Sequence, residues 1–159
     1  MSYIGITEDR LRHMLGVARK AYEIAKNRTH DEDFCRKMFA IGLLHDIGYE
    51  FAETHEEHPE IGANIVSLLI DNESDQNNNN TINAIRKHGL YADTKNEEWI
   101  ILNMADMLVD PEGKAVSVTQ RLNDIKERYG ERSNQYLTAC DICYQIGLTA
   151  VNLSSNIIP

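Results

Sequence analysis

Two ionisable side chains, His45 and Asp46, stand at the end of an apolar stripe in "IGLLHDIGYE", residues 41–50. Phe34, Met38 and Ile41 recur at helical spacing, and the next step of four lands on His45, which therefore faces the interior. Asp46 follows about 100° round the same helix, so both side chains can reach one point. A carboxylate carried into a core without a partner costs on the order of several kcal/mol. Any fold this chain adopts has to bring compensating groups to that point.

A His–Asp hydrogen bond tying two helices would compensate one such pair. The chain carries more. "EEWIILNMADMLVD" sets Asp106 in an otherwise apolar helix, in line with Trp99 and Leu102. "DRLRHMLGVARKAYEIA" puts His13 on the line of Val17 and Ile24, "HEEHPEIGANIV" has His58 directly before Pro59, and "AIRKHGL" ends a helix on His88. Four histidines and two carboxylates, each at a helix end or on an apolar stripe, point to a metal site built between helices. His30 and His55 lie in polar loop sequence and read as surface residues.

The rest of the chain supplies those helices. Apolar periodicity predicts helices over 8–27 (Leu11, Met14, Leu15, Ala18, Tyr22 and Ala25 inward, Thr7 capping) and over 31–47 (Asp31 capping, Leu44 inward, Gly48 at the end). Pro59 fits the first turn of a third helix, with Ile61, Ile65, Leu68 and Leu69 inward. "DNESDQNNNN", residues 71–80, reads as a polar loop. Further helices are predicted from Thr81 to about Gly89, over about 96–109, 116–129 and 132–152, broken by Pro111, Gly113 and Gly130. No stretch alternates well enough for a strand. The expected fold is an all-α bundle of six to seven helices, residues 1–159 forming one domain. Its last helix, with Tyr136, Leu137, Ile142, Tyr144, Ile146 and Leu148, can cover the core or face a second copy in a homodimer.

A net charge of −9 argues against a nucleic-acid polymer or an anionic membrane as partner. A small anionic substrate stays open, because a bound cation reverses the local field. Cys35, Cys140 and Cys143 form no second CxxC pair and read as thiols in a reducing compartment. With no signal peptide and no apolar run of membrane-spanning length, the expected location is cytoplasmic.

The ordered series His13, His45-Asp46, Asp106 resembles the H…HD…D signature of the HD-domain metal-dependent phosphohydrolase superfamily. His58 and His88 match the two additional histidines of its binuclear subset. "LLHDIG" and "HPEIGA" are similar to segments of the HD-GYP branch, although "KHGLYAD" stands where that branch has Gly-Tyr-Pro. "AIRKH" and "ADMLVDPEG" look more like the YqeK-type branch. The resemblance implies that His13, His45 and Asp106 hold one ion, that His58 and His88 hold a second, and that Asp46 bridges them as the catalytic carboxylate beside a metal-activated water.

Imidazole and carboxylate without thiolate suit one or two divalent transition-metal ions, iron or manganese ahead of zinc, cobalt or nickel. Such ions lower the pKa of a bound water and stabilise charge on a phosphoryl group. The expected activity is hydrolysis of a phosphoester or phosphoanhydride of a nucleotide-like molecule. Candidate substrate contacts are Tyr49, Arg86, Lys87, Lys114 and Arg121; Asp110 either supports a metal-bound histidine or caps the turn before Pro111. A di-iron oxygenase and a nucleotide sensor with little turnover are the alternatives.

Overall fold

The computed structural model describes residues 2–70 and 75–148. Among these are seven α-helices: α1 (Glu8–Arg28), α2 (Glu32–Leu44), α3 (His58–Leu69), α4 (Gln76–Lys87), α5 (Glu97–Met107), α6 (Val118–Tyr129) and α7 (Asn134–Gln145). Two 3-10 turns, Ile47–Glu50 and His55–Glu57, join α2 to α3. An isolated bridge between Val109 and Ala115 is the extended pairing found among the described residues. None of the described helices is long and apolar enough to cross a membrane. The all-α expectation holds.

Helix starts follow local chemistry. Side-chain oxygens of Thr7, Asp31, Asp75, Asn96, Ser117 and Ser133 each accept a backbone N–H from the first turn of α1, α2, α4, α5, α6 and α7. Pro59 sits in the first turn of α3, where its missing N–H costs nothing.

The centre of the molecule is α5. Trp99, Ile101, Leu102, Met104 and Ala105 are all buried, so this helix is covered on every side. α1 packs on α2 and on α5, α3 on α4, and α6 with α7 covers one flank of α5. The ends of α1, α2, α3 and α4 thereby gather round the Asp106 turn of α5.

Several sequence expectations change on folding. α2 stops at Leu44, three residues before the predicted end, because the His45 ring itself takes up the Gly42 carbonyl and the chain tightens into a 3-10 turn. Gly48 has no positive φ; its missing side chain serves close packing, since a Cβ there would lie 2.0 Å from the His58 carbonyl oxygen. Leu11, Leu68 and Leu69 are exposed rather than inward. The buried line of α1 runs through His13, Val17, Ala21 and Ile24, and that of α3 through His58, Gly62, Ala63 and Val66. Small residues let these helices approach closely, and that rotation carries the larger side chains outward. Asp75 starts α4 six residues ahead of Thr81, so Gln76–Asn80 are helical; positions 71–74 of the expected loop lie outside the described residues. α7 ends at Gln145, and residues 149–152 of the predicted helix lie outside the described residues. Leu137 and Tyr144 are exposed on it while Ile142, Ile146 and Leu148 join the core. All three cysteines are free thiols.

Candidate metal centre

Each of the four histidines reaches the centre through its own backbone arrangement. His45 and His88 cap the C-terminal ends of α2 and α4, and His58 opens α3 after the 3-10 turn. In these three the ring Nδ1 meets the carbonyl three residues back, of Gly42, Ile85 and His55. His13, inside α1, instead pairs Nδ1 with the Asp110 carbonyl. That carbonyl is delivered by the turn after α5, where Gly113 (φ +89°) lies so close to α1 that a Cβ would come 2.3 Å from the Arg12 oxygen. The four Nδ1 contacts span 2.5–2.8 Å.

A backbone carbonyl only accepts, so each of these rings carries a proton on Nδ1 and turns Nε2 to the centre, where it offers a lone pair to a metal or, on His45 without metal, holds a second proton between the carboxylates. All four Nε2 atoms converge on Asp46 and Asp106. Asp46 Oδ1 lies 3.2 Å from both His58 and His88 Nε2, and those two nitrogens are 3.2 Å apart. Asp46 Oδ2 lies 3.3 Å from His45 Nε2 and 3.7 Å from His13 Nε2. Asp106 Oδ1 is 2.8 Å from His13 and 3.6 Å from His45. His45 Nε2 is buried and makes no aligned hydrogen bond.

Lone pairs facing lone pairs at these distances repel unless a cation lies between them. Donor atoms each about 2.1 Å from one ion stand roughly 3.0–3.4 Å from one another in octahedral or tetrahedral geometry, and the 2.8–3.7 Å separations here bracket that range. Two groups, His13–His45–Asp106 and His45–Asp46–His88, each bring three ligand atoms within 4.8 Å of one another. His58 joins the second through its contacts with Asp46 and His88. The donor set fits divalent metal, and the outward Nδ1 bonds are the supports that metal-binding histidines use.

The electrostatics agree. Burial works against charge on Asp46 and Asp106, yet the surrounding imidazoles hold both well below the usual carboxylate range. For His45, burial is outweighed by the two carboxylates, which push it up to about 10. Burial, aided by His88, pulls His58 below its ordinary value and keeps it neutral.

The centre forms the floor of a cleft of about 450 Å³, within the ordinary range for small-molecule sites. Of the expected substrate contacts, Tyr49 and Arg121 line this cleft; Arg86, Lys87 and Lys114 do not. Arg86 pairs with Glu60 at 3.1 Å, Lys87 with Asp93 at 3.3 Å, and Lys114 stays exposed beside Glu112. Helix rotation decides this, because neighbours of a ligand in sequence point about 100° away from it. Tyr49 stacks on the His58 ring, with centroids 3.9 Å apart and 13° between planes. Asp110 combines the two alternatives: its backbone carbonyl meets His13, while its carboxylate accepts the Glu112 and Lys114 amides in the turn that runs through Pro111.

Two further residues join the site, Arg10 and Asn103, and so does His55, read from the sequence as a surface residue only. Arg10, one turn before His13, donates to Asp46 Oδ2 at 2.9 Å and lies 4.0 Å over the Tyr49 ring. His55, though exposed, lines the cleft and accepts the Tyr49 hydroxyl. Asn103 ties α5 to the end of α4 by accepting the Gly89 amide. For Asn103 a signal existed: a polar residue one turn before Asp106 in an apolar helix. Arg10 shares the polar face of α1 with ordinary surface charges, so nothing set it apart.

The all-α bundle gathers imidazole and carboxylate donors that could hold a metal ion where five helices meet. The HD domain family model matches residues 10–122, and the chain belongs to that family, within the metal-dependent phosphohydrolase superfamily. Comparison with curated proteins and with solved structures finds no match.

Proposed function

We propose that the chain, acting as one domain over residues 1–159, is a metal-dependent hydrolase that cleaves a phosphoester or phosphoanhydride of a nucleotide-like small molecule. The observation that carries this is the convergence of four Nε2 lone pairs on Asp46 and Asp106, with every Nδ1 committed to a backbone carbonyl. His13, His45 and Asp106 would hold one ion and His58 and His88 a second, Asp46 offering a separate oxygen to each pair of histidines. Iron or manganese suits this set, with zinc, cobalt and nickel as alternatives. Such ions supply Lewis acidity towards a phosphoryl group and lower the pKa of a coordinated water.

The chain's own residues do the rest. Arg10, fixed over Tyr49 and beside Asp46, presents a guanidinium to a phosphoryl oxygen at the floor of the cleft. Tyr49 is buried, and burial together with the Asp46 charge raises its pKa, so it stays protonated and shields one side of the centre from water. Further out, His55 and Tyr129, with ring centroids 6.5 Å apart, flank the mouth, and Asn134, Gln135 and Thr138 of α7 line the wall. Rings beside neutral hydrogen-bonding groups suit a nucleoside-like moiety. The free thiols fit a reducing, cytoplasmic setting.

Elemental analysis of anaerobically purified protein, followed by a phosphate-release screen, tests this reading. The expected result is close to two transition-metal ions per chain, falling towards one in His58→Ala/His88→Ala, and phosphate release without oxygen consumption. Oxygen-dependent turnover would instead favour the oxygenase, and tight nucleotide binding without turnover the sensor.

A further inference from the structure

Arginine supplies every cationic side chain lining the cleft except for what the histidines can carry: Arg10 at its floor, Arg121 and Arg128 on α6. Arg10 has a close partner, Asp46, at 2.9 Å. Arg121 has none of that quality. Its side chain is only 15% exposed, yet its nearest carboxylate oxygen, Asp124 Oδ2, is 3.8 Å away. Its other polar contact is a long hydrogen bond, 3.4 Å, from Nε to the backbone carbonyl of Asp106. A largely buried guanidinium held this loosely is incompletely compensated.

Asp124 is shared. Its Oδ1 sits 3.2 Å from Arg128 Nε, while its Oδ2 is buried and accepts no hydrogen bond. Two guanidinium groups thus flank one carboxylate and leave a surplus positive charge facing the cleft. A solvated i, i+4 pair accounts for Arg128 alone. It does not account for Arg121, which is drawn inward to within 3.4 Å of the Asp106 carbonyl, beside the candidate metal centre.

We infer that Arg121 and Arg128 form a second anion subsite, holding a phosphoryl group of the substrate that is not the one attacked. Resting on the phosphohydrolase reading, this narrows the substrate class to molecules with two phosphoryl groups near one another, diphosphates or bisphosphates rather than monophosphates. The guanidinium fork matches phosphoryl oxygens two at a time, a geometry that lysine does not provide. Arg121 falls within the residues the family model covers and Arg128 beyond them, so the pair on α6 straddles the end of the match.

Calorimetric titration of the manganese-loaded full chain with methylphosphonate and with methylenediphosphonate tests it without relying on turnover. Wild type should prefer the bisphosphonate by at least about tenfold, the worth of one charge-assisted contact. That preference should shrink to within about threefold in Arg121→Gln and in Arg128→Gln, be partly kept in Arg121→Lys, and be untouched in Arg36→Gln on the distant face of α2. Arg128 is half-exposed, so its variant keeps the test open should Arg121→Gln fold poorly. A preference that survives in both glutamine variants would mean that the bisphosphonate merely chelates the metals, and would overturn the inference. Binding of methylphosphonate with no preference in wild type would overturn it while leaving the phosphohydrolase reading intact. Absence of binding by either compound, together with no phosphate release from any phosphoester, would remove both.

Discussion

Asp46 is the residue on which the centre turns, because its two oxygens face different pairs of histidines. Asp46→Ala leaves four imidazole lone pairs crowded together, and metal content should fall below about a tenth of wild type by elemental analysis. Protons and metal compete for the same lone pairs. With His45 raised to about 10 by the carboxylates, the metal-free protein holds a proton there at neutral pH, which an incoming ion must displace. Apparent metal affinity should therefore rise by up to about tenfold per pH unit from pH 6 and level off near 10, read by competition with a chelator dye. The same shift fixes the sign of a stability change. A histidine raised from 6.5 to about 10 stabilises the metal-free fold below pH 6.5 and loses that contribution as pH climbs through 10. Asp46 and Asp106, both depressed, act oppositely: their contribution is present above the ordinary carboxylate pKa and disappears as acid protonates them. Melting temperatures of metal-free protein across pH 6–10 should fall, and a flat profile would contradict the assignment. Tyr49→Leu removes the flat ring between Arg10 and His58, so metal bound through His58 should be lost first, whereas Tyr49→Phe should retain it.

Among elements, the contact between the 3-10 turn after α2 and the start of α3 decides whether His58 reaches Asp46. Gly48→Ala puts a methyl into the His58 carbonyl, and the two segments must part. A loss of about 1–3 kcal/mol, or more, is expected in denaturant unfolding, with metal stoichiometry falling towards one. Helix caps are cheaper to lose. Asp75→Ala should cost about 1 kcal/mol through the start of α4 and leave metal content unchanged, since His88 sits at the other end. Most helix starts were legible in the sequence because a cap is a local event: one oxygen, one N–H, two or three residues apart. Inward faces were less so. Leu68 and Leu69 have the spacing of a buried stripe but end up in water, because Gly62 and Ala63 allow a closer approach on the neighbouring face than leucines permit.

For the whole molecule, α1, α2, α3, α4 and α5 all bring candidate ligands to one point, so a metal bound there would link its binding to folding. An ion present at a thousand times its dissociation constant adds about 4 kcal/mol to stability. Chelation should lower the melting temperature by several degrees and re-addition of manganese should restore it, whereas a surface-bound ion would shift nothing. Periodicity along the chain marks it as helical and turns His13, His45, Asp46 and Asp106 inward, where charge has to be compensated. Each of those follows from periodicity and from the cost of burying charge, which act within a few residues of the chain. The assembled fold alone brings the Asp110 carbonyl to His13 Nδ1, places Arg10 and not Arg86 or Lys87 at Asp46, and turns Arg121 into the cleft beside Arg128. These depend on helix rotation and on contacts between residues far apart in sequence, which local pattern does not encode.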